Sequence, residues 1–161
     1  MISVRLVDAP SFAVVGRKTW IAGQDNAAFG AFWQACRQDG LIDRLRALRG
    51  GEPGPITDSL VLGVSCVERD PSDRAFDFYV AAESGEHDCN DALERYVVPA
   101  ATWAVFENRG PLPEALIAAE MYAFMEWLPA SGYRHALAPE LEVYPARGDD
   151  LAEFWLPVED A

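Results

Sequence analysis

The sequence predicts an α+β fold made of two strand-helix-strand-strand modules joined in one pseudo-symmetric domain spanning residues 1–161. Two observations carry this. Short segments recur in the same order: Phe12-Ala13-Val14-Val15 with Trp103-Ala104-Val105-Phe106, Asp39-Gly40-Leu41 with Ser131-Gly132-Tyr133, Leu62-Gly63-Val64 with Leu141-Glu142-Val143, and Phe78-Tyr79-Val80 with Phe154-Trp155-Leu156. The halves, about 1–84 and 93–161, are also each too short to cover a sheet with one helix, so they must share a core.

Each element follows from local pattern. Residues 2–20 alternate loosely around Pro10 and Gly16 and read as a strand pair or one kinked strand. From Asp25 the spacing becomes helical, with Phe29, Phe32, Trp33 and Cys36 at i, i+3, i+4 and i+7, a cap at Asp25 or Asn26, and a stop at Gly40. Leu41 to Leu48 is a second helix with Leu41, Leu45 and Leu48 inward, ended by the Gly50-to-Pro55 loop. Leu60–Val67 and Phe76–Glu83 form a hairpin across Arg69-Asp70-Pro71-Ser72-Asp73. Tyr96 to Phe106 is β again. Pro113 then stands near the first position of a helix to about Leu128, with Ile117, Met121, Phe124, Met125 and Leu128 as its inward stripe. Leu141–Tyr144 and Glu153–Val158 are the last strands.

Composition excludes several classes. Half of the 161 residues are hydrophobic and the formal net charge is −13, so the chain has the apolar content of a folded protein and repels phosphate backbones; direct nucleic-acid binding is not expected. No apolar run approaches a membrane span, and the N-terminus lacks the apolar core of a signal peptide. The three cysteines, Cys36, Cys66 and Cys89, cannot all pair and match no metal spacing, which favours a reducing, cytoplasmic setting. Glu86-His87-Asp88-Cys89 reads as a solvated loop, and neither a metal nor a cofactor is expected. His135 is explained by its place after a helix end, Cys66 as a small hydrophobe, and Glu126 as a solvated acid. There is no phosphate loop and no nucleophile elbow.

Glu142 is the leading candidate for chemistry. In a strand, Leu141 and Val143 share one face while Glu142 and Tyr144 share the other. If Leu141, Val143, Leu62 and Val64 face the helices, Glu142 and Tyr144 lie on the opposite side with Tyr79 and Trp155. A carboxylate among aromatic rings suits a lipophilic cation. Gly63, at the repeat position of Glu142, supplies room where the other half supplies charge. Trp103, Trp20 and Tyr122 are further lining candidates, whereas Trp33, on a helix stripe, reads as core.

The Glu-Trp-Leu-Pro run at Glu126–Pro129, the Gly132 stop, the Glu142-Val143-Tyr144 strand and the duplicated plan resemble the GyrI-like small-molecule-binding domain, also found as the effector-binding domain of AraC- and MerR-type transcription regulators. The resemblance covers nearly the whole chain and implies a bacterial, stand-alone member: one antiparallel sheet, helices on one side, and a central ligand groove with Glu142 at its bottom. With the strand phase and the repeat, it gives as the leading reading non-enzymatic, multidrug-type binding of an amphipathic cationic or aromatic molecule, with Glu142 as the acid the resemblance implies and Tyr144, Trp155, Tyr79, Gly63 and Trp103 as the lining the residues themselves suggest. Two alternatives come with it. One is hydrolysis of strained electrophiles by Glu142 with Tyr144; the other is binding of a protein such as DNA gyrase or a regulator.

Overall fold

The computed structural model describes residues 1–22, 26–84 and 93–161. Its strands are β1 (Ser3–Ala9), β2 (Phe12–Ile21), β3 (Ser59–Ser65), β4 (Phe76–Glu83), β5 (Glu94–Val98), β6 (Ala101–Arg109), β7 (Tyr133–His135), β8 (Glu140–Pro145) and β9 (Leu151–Asp160). The helices are α1 (Asn26–Gln38), α2 (Leu41–Leu48) and α3 (Glu114–Tyr122). The last runs through a π-helical turn (Ala123–Trp127) into α4 (Leu128–Ser131). Gly40 (φ +85°) and Gly132 (φ +79°) take the left-handed conformation between helices and at the last helix end, as glycine stops should. The proposed cap Asp25 and the segment Glu86-His87-Asp88-Cys89 lie outside the described residues.

One sheet has the order β1-β6-β9-β8-β3-β4-β2-β5, with β7 beside β9, and every pairing is antiparallel. Read inward from either edge, it is an outer strand followed by the first, third and second strands of a module. The duplication in sequence is therefore a duplication in space about an axis between β3 and β8. There Leu62 faces Val143, Gly63 faces Glu142 and Val64 faces Leu141. The outer strands are exchanged. β1 precedes the first module yet pairs with β6, and β5 pairs with β2, so β1 and β2 do not form the strand pair expected of residues 2–20. Each module is completed by a strand from outside its own run of chain.

Both faces of the sheet are buried. On one, Val15, Phe76, Phe78, Val80 and Ala82 meet α1 and α2, and Ala104, Phe106, Phe154, Leu156 and Val158 meet α3 and the π turn. The other face carries Leu62, Val64, Tyr79, Trp103, Val105, Leu141, Val143 and Trp155, with no helix among the described residues in the cluster. Ala9 of β1 and Val98 of β5 join that cluster, as edge strands do when a wide twisted sheet curls over its own face. The rings of Trp103 and Trp155, with centroids 5.8 Å apart, fill its middle.

This arrangement corrects the face assignment made from sequence. Leu141, Val143, Leu62 and Val64 do share one face, but it is the face away from the helices. Glu142 and Tyr144 point toward the helices. The inward stripe expected for α3 is displaced as well. Ala115, Leu116, Ala119 and Ala123 pack on the sheet, while Met121 and Met125 are 54% and 70% exposed. From Glu114 to Ser131 the only charged side chains are Glu114, Glu120 and Glu126, so apolar spacing could not tell the buried face from a second apolar one.

Candidate functional site

The second apolar face of α3 lines a cavity of about 480 Å³ between α1 and α3, above the seam of the two modules. Alternation in β8 puts Glu142 and Tyr144 on its floor, and alternation in β9 adds Phe154. Phe29, Gly30 and Trp33 of α1 form one wall; Leu116, Ile117, Glu120 and Phe124 form the other, with Arg74 and Phe76 closing one end. The α1 stripe serves two purposes: Cys36 is fully buried while Phe29 stacks edge-to-face on Phe78 at 4.8 Å and still reaches the cavity. Volume and lining are those of a small-molecule site.

Glu142 accepts a hydrogen bond from Trp33 Nε1 at 3.2 Å. The Trp33 ring stands edge-on to Tyr144, with centroids 5.7 Å apart, so indole, carboxyl and phenol form one unit across the seam. No cationic side chain pairs with Glu142 among the described residues. Burial, with a further push from Glu120, raises its pKa to about 8 against the pull of the indole N–H. Burial also raises the Tyr144 phenol, helped by Glu142. Burial lifts Glu120 to about 7, with Glu140 adding to the shift and Arg74 opposing it.

Glu140 behaves differently. Burial works to raise its pKa, but hydrogen bonds from His135 and Arg74 outweigh that and hold it below the ordinary carboxylate range. Arg74 grips it with two bonds of 3.0 and 2.9 Å, and His135 Nε2 lies 2.9 Å from Oε2. The guanidinium also lies over the rings of Phe76 and Phe124, at 5.4 and 5.7 Å. Phe124 belongs to the π turn, which rotates it onto this end of the cavity.

Gly63 sits across the seam from Glu142 with no side chain between them. A Cβ there would lie 2.5 Å from Glu142 Oε2 and 2.9 Å from Phe78 Cζ. Gly63→Ala is therefore expected to cost about 1–3 kcal/mol, because the carboxylate can swing aside but the buried Phe78 ring must also shift. It should also move Glu142 off Trp33. Thermal unfolding together with tryptophan emission would show both effects; an unchanged emission spectrum would mean that the pair is not coupled.

The structure brings Glu142, Tyr144 and Gly63 together on the helix-covered face. Trp155, Tyr79 and Trp103 are not with them: all three lie in the buried cluster on the far face, where Trp155 Nε1 donates to Glu153 at 3.0 Å. The correction follows from cross-strand register, which sets Tyr79 beside Val64 and Trp155 beside Leu141. Strand parity places Tyr79 and Trp155 with Leu141 rather than with Glu142. Cys66 joins the same far cluster, where burial pushes its thiol up to about 12, so it packs as a small apolar group. Trp20 is exposed, and Tyr122 packs near Phe106. Glu126 is solvent-exposed, as expected. Trp33, assigned to core, is a wall and a hydrogen-bond donor. Glu120, Glu140 and Arg74 were missed. The available signal was an acid inside an otherwise apolar helix.

A duplicated antiparallel sheet with a helix-walled cavity over its seam defines a small-molecule-binding domain. The chain belongs to the GyrI-like family: the profile of the GyrI-like small molecule binding domain matches residues 3–159. Among solved structures it is similar to SAV2435 bound to tetraphenylphosphonium, with a TM-score of 0.80 and 22% identity over 98% of this chain and 94% of that one. It is also similar to the EcmrR C-terminal domain (TM-score 0.61, 15% identity, 100% and 99% covered). A third likeness is to a hydrolase from Listeria innocua (TM-score 0.51, 16% identity, 97% and 91% covered). No curated protein matches.

Proposed function

We propose that residues 1–161 act as one effector-binding unit that captures a lipophilic, cationic aromatic molecule in the cavity between α1 and α3. The observation that carries this reading is Glu142: a carboxyl on the floor of an aromatic-lined cavity of about 480 Å³, held by a neutral indole N–H and by no cation among the described residues. Removing a carboxylate from water without a positive partner is unfavourable, so the site gains most when the partner arrives with the ligand. The tetraphenylphosphonium bound to SAV2435 supports the same chemistry here. Free thiols at Cys36 and Cys66 suit a cytoplasmic setting, in which the domain would sense or sequester such compounds, alone or alongside a transcription regulator.

Titration of tetraphenylphosphonium by calorimetry tests the reading. One-to-one binding in the micromolar range is expected, with Trp33 emission quenched. Binding by a Trp33→Phe variant without quenching would confirm the reporter. No heat and no quenching at millimolar ligand would reject the cavity as a cation site.

A second reading has its own observation: a carboxyl poised near neutrality, at about 8, on a cavity floor beside Tyr144 is placed for general acid or base work on a strained electrophile. Consumption of such a compound by the wild type, with Glu142→Gln still binding it unchanged, would favour hydrolysis over capture.

A further inference from the structure

We propose that Glu120 is a second counter-charge in this cavity and that the site is built for a compact aromatic dication rather than a monocation. This rests on the reading of the cavity as a cation site and names the class of ligand it takes. Among the described residues three carboxyls face the cavity, Glu120, Glu140 and Glu142, against one guanidinium, Arg74. Arg74 is spent: both terminal nitrogens bond Glu140, which also contacts His135. Arg37 of α1 lies 5.7 Å over the Trp33 ring and bonds neither free acid. Two carboxyls therefore lack a positive partner among the described residues. Glu142 has one neutral donor, and Glu120 has no hydrogen bond or ion pair among the described residues.

Their placement makes two charges usable at once. Glu142 stands on the β8 floor beside the α1 wall, and Glu120 stands on the α3 wall, one turn before Phe124. A flat biaryl core would lie among Phe29, Trp33, Phe124 and Phe154, with a positive end toward each acid. A structural role gives no reason for Glu120: α3 is apolar around it, and a solvating acid would sit on the outer face, as Glu114 and Glu126 do. A monocation satisfies one acid and leaves the other to keep a proton or remain unpaired in a poorly solvated space.

Methyl viologen and N-methyl-4-phenylpyridinium are nearly the same shape and differ by one positive charge. The wild type, at 0.15 M salt, should bind the dication at least ten times more tightly than the monocation. Glu120→Gln should reduce that ratio to threefold or less and change monocation affinity less than threefold. Glu114→Gln, a charge change on an exposed position of the same helix, should leave the ratio intact and so exclude the general surface field. Equal wild-type affinities for the two probes would overturn the proposal without requiring any variant to fold. So would a preference that survives Glu120→Gln. Failure of both probes and of tetraphenylphosphonium to bind would instead reject the cation site itself.

Discussion

Glu142→Gln is expected to weaken tetraphenylphosphonium binding by roughly ten- to hundredfold, the ~1.5–3 kcal/mol that a charged partner contributes, while the fold survives. The substitution keeps the shape of the side chain and an acceptor for Trp33 Nε1. A neutral aromatic of similar size should bind both proteins alike. The pH dependence has a definite sign. Burial lifts the Glu142 carboxyl to about 8 in the free protein, so near neutral pH it holds a proton that the unfolded chain has already lost. Stability of the free protein is therefore full below the ordinary carboxylate range and declines as pH rises toward about 8. Glu120, lifted to about 7, adds to the same slope. A bound cation favours the ionised acid, expels the proton and reverses the trend, so affinity should rise from pH 6 to 8.5. In Glu142→Gln the affinity rise should flatten and the fall in melting temperature should become shallower. Wild type and variant with parallel pH profiles and equal affinity would remove the counter-charge role.

The parts of the site legible in sequence were those fixed by period. Alternation in β8 separates Glu142 from Leu141 and Val143 whatever lies above the sheet, and the repeat places Gly63 opposite Glu142. Which face the helices cover is not a matter of period when both faces are buried. Leu62, Val64, Leu141 and Val143 look like a helix-facing set because they are apolar, yet a curled sheet buries them under its own strands. Tyr79 and Trp155 were misplaced for a separate reason: their face relative to Glu142 depends on cross-strand register, Val64 with Tyr79 and Leu141 with Trp155, which neither strand's own pattern encodes. Trp33 was hidden for a related reason: on a helix, one stripe can pack on Phe78 and wall a cavity, and only the distance to Glu142 separates the two. Arg74 and Glu140 come together from a loop and a strand 66 residues apart, a contact that no local pattern encodes.

Arg74→Met should cost on the order of 3–5 kcal/mol of stability, because it leaves Glu140 buried with only His135 beside it. For a chain of this size that is a fall of about 10 °C or more in melting temperature. The pair does more than satisfy a charge. Arg74 belongs to the connection between β3 and β4 of the first module and Glu140 opens β8 of the second, so their two bonds tie the modules together at one end of the cavity. The guanidinium also holds the Phe124 and Phe76 rings that close that end, so their packing should loosen along with the fall in stability. Glu140 has a depressed folded value, so its contribution is present above the ordinary carboxylate range and is lost as pH falls through that depressed value. Without Arg74 the carboxyl is held down by His135 alone, and acid unfolding should begin at higher pH. Glu140→Leu in the Arg74→Met background should recover most of the loss, since it removes the stranded charge. If Arg74→Met costs less than ~1 kcal/mol, or if Glu140→Leu fails to rescue it, the modules are joined by the sheet seam alone and the ion pair is an ornament of the cavity wall.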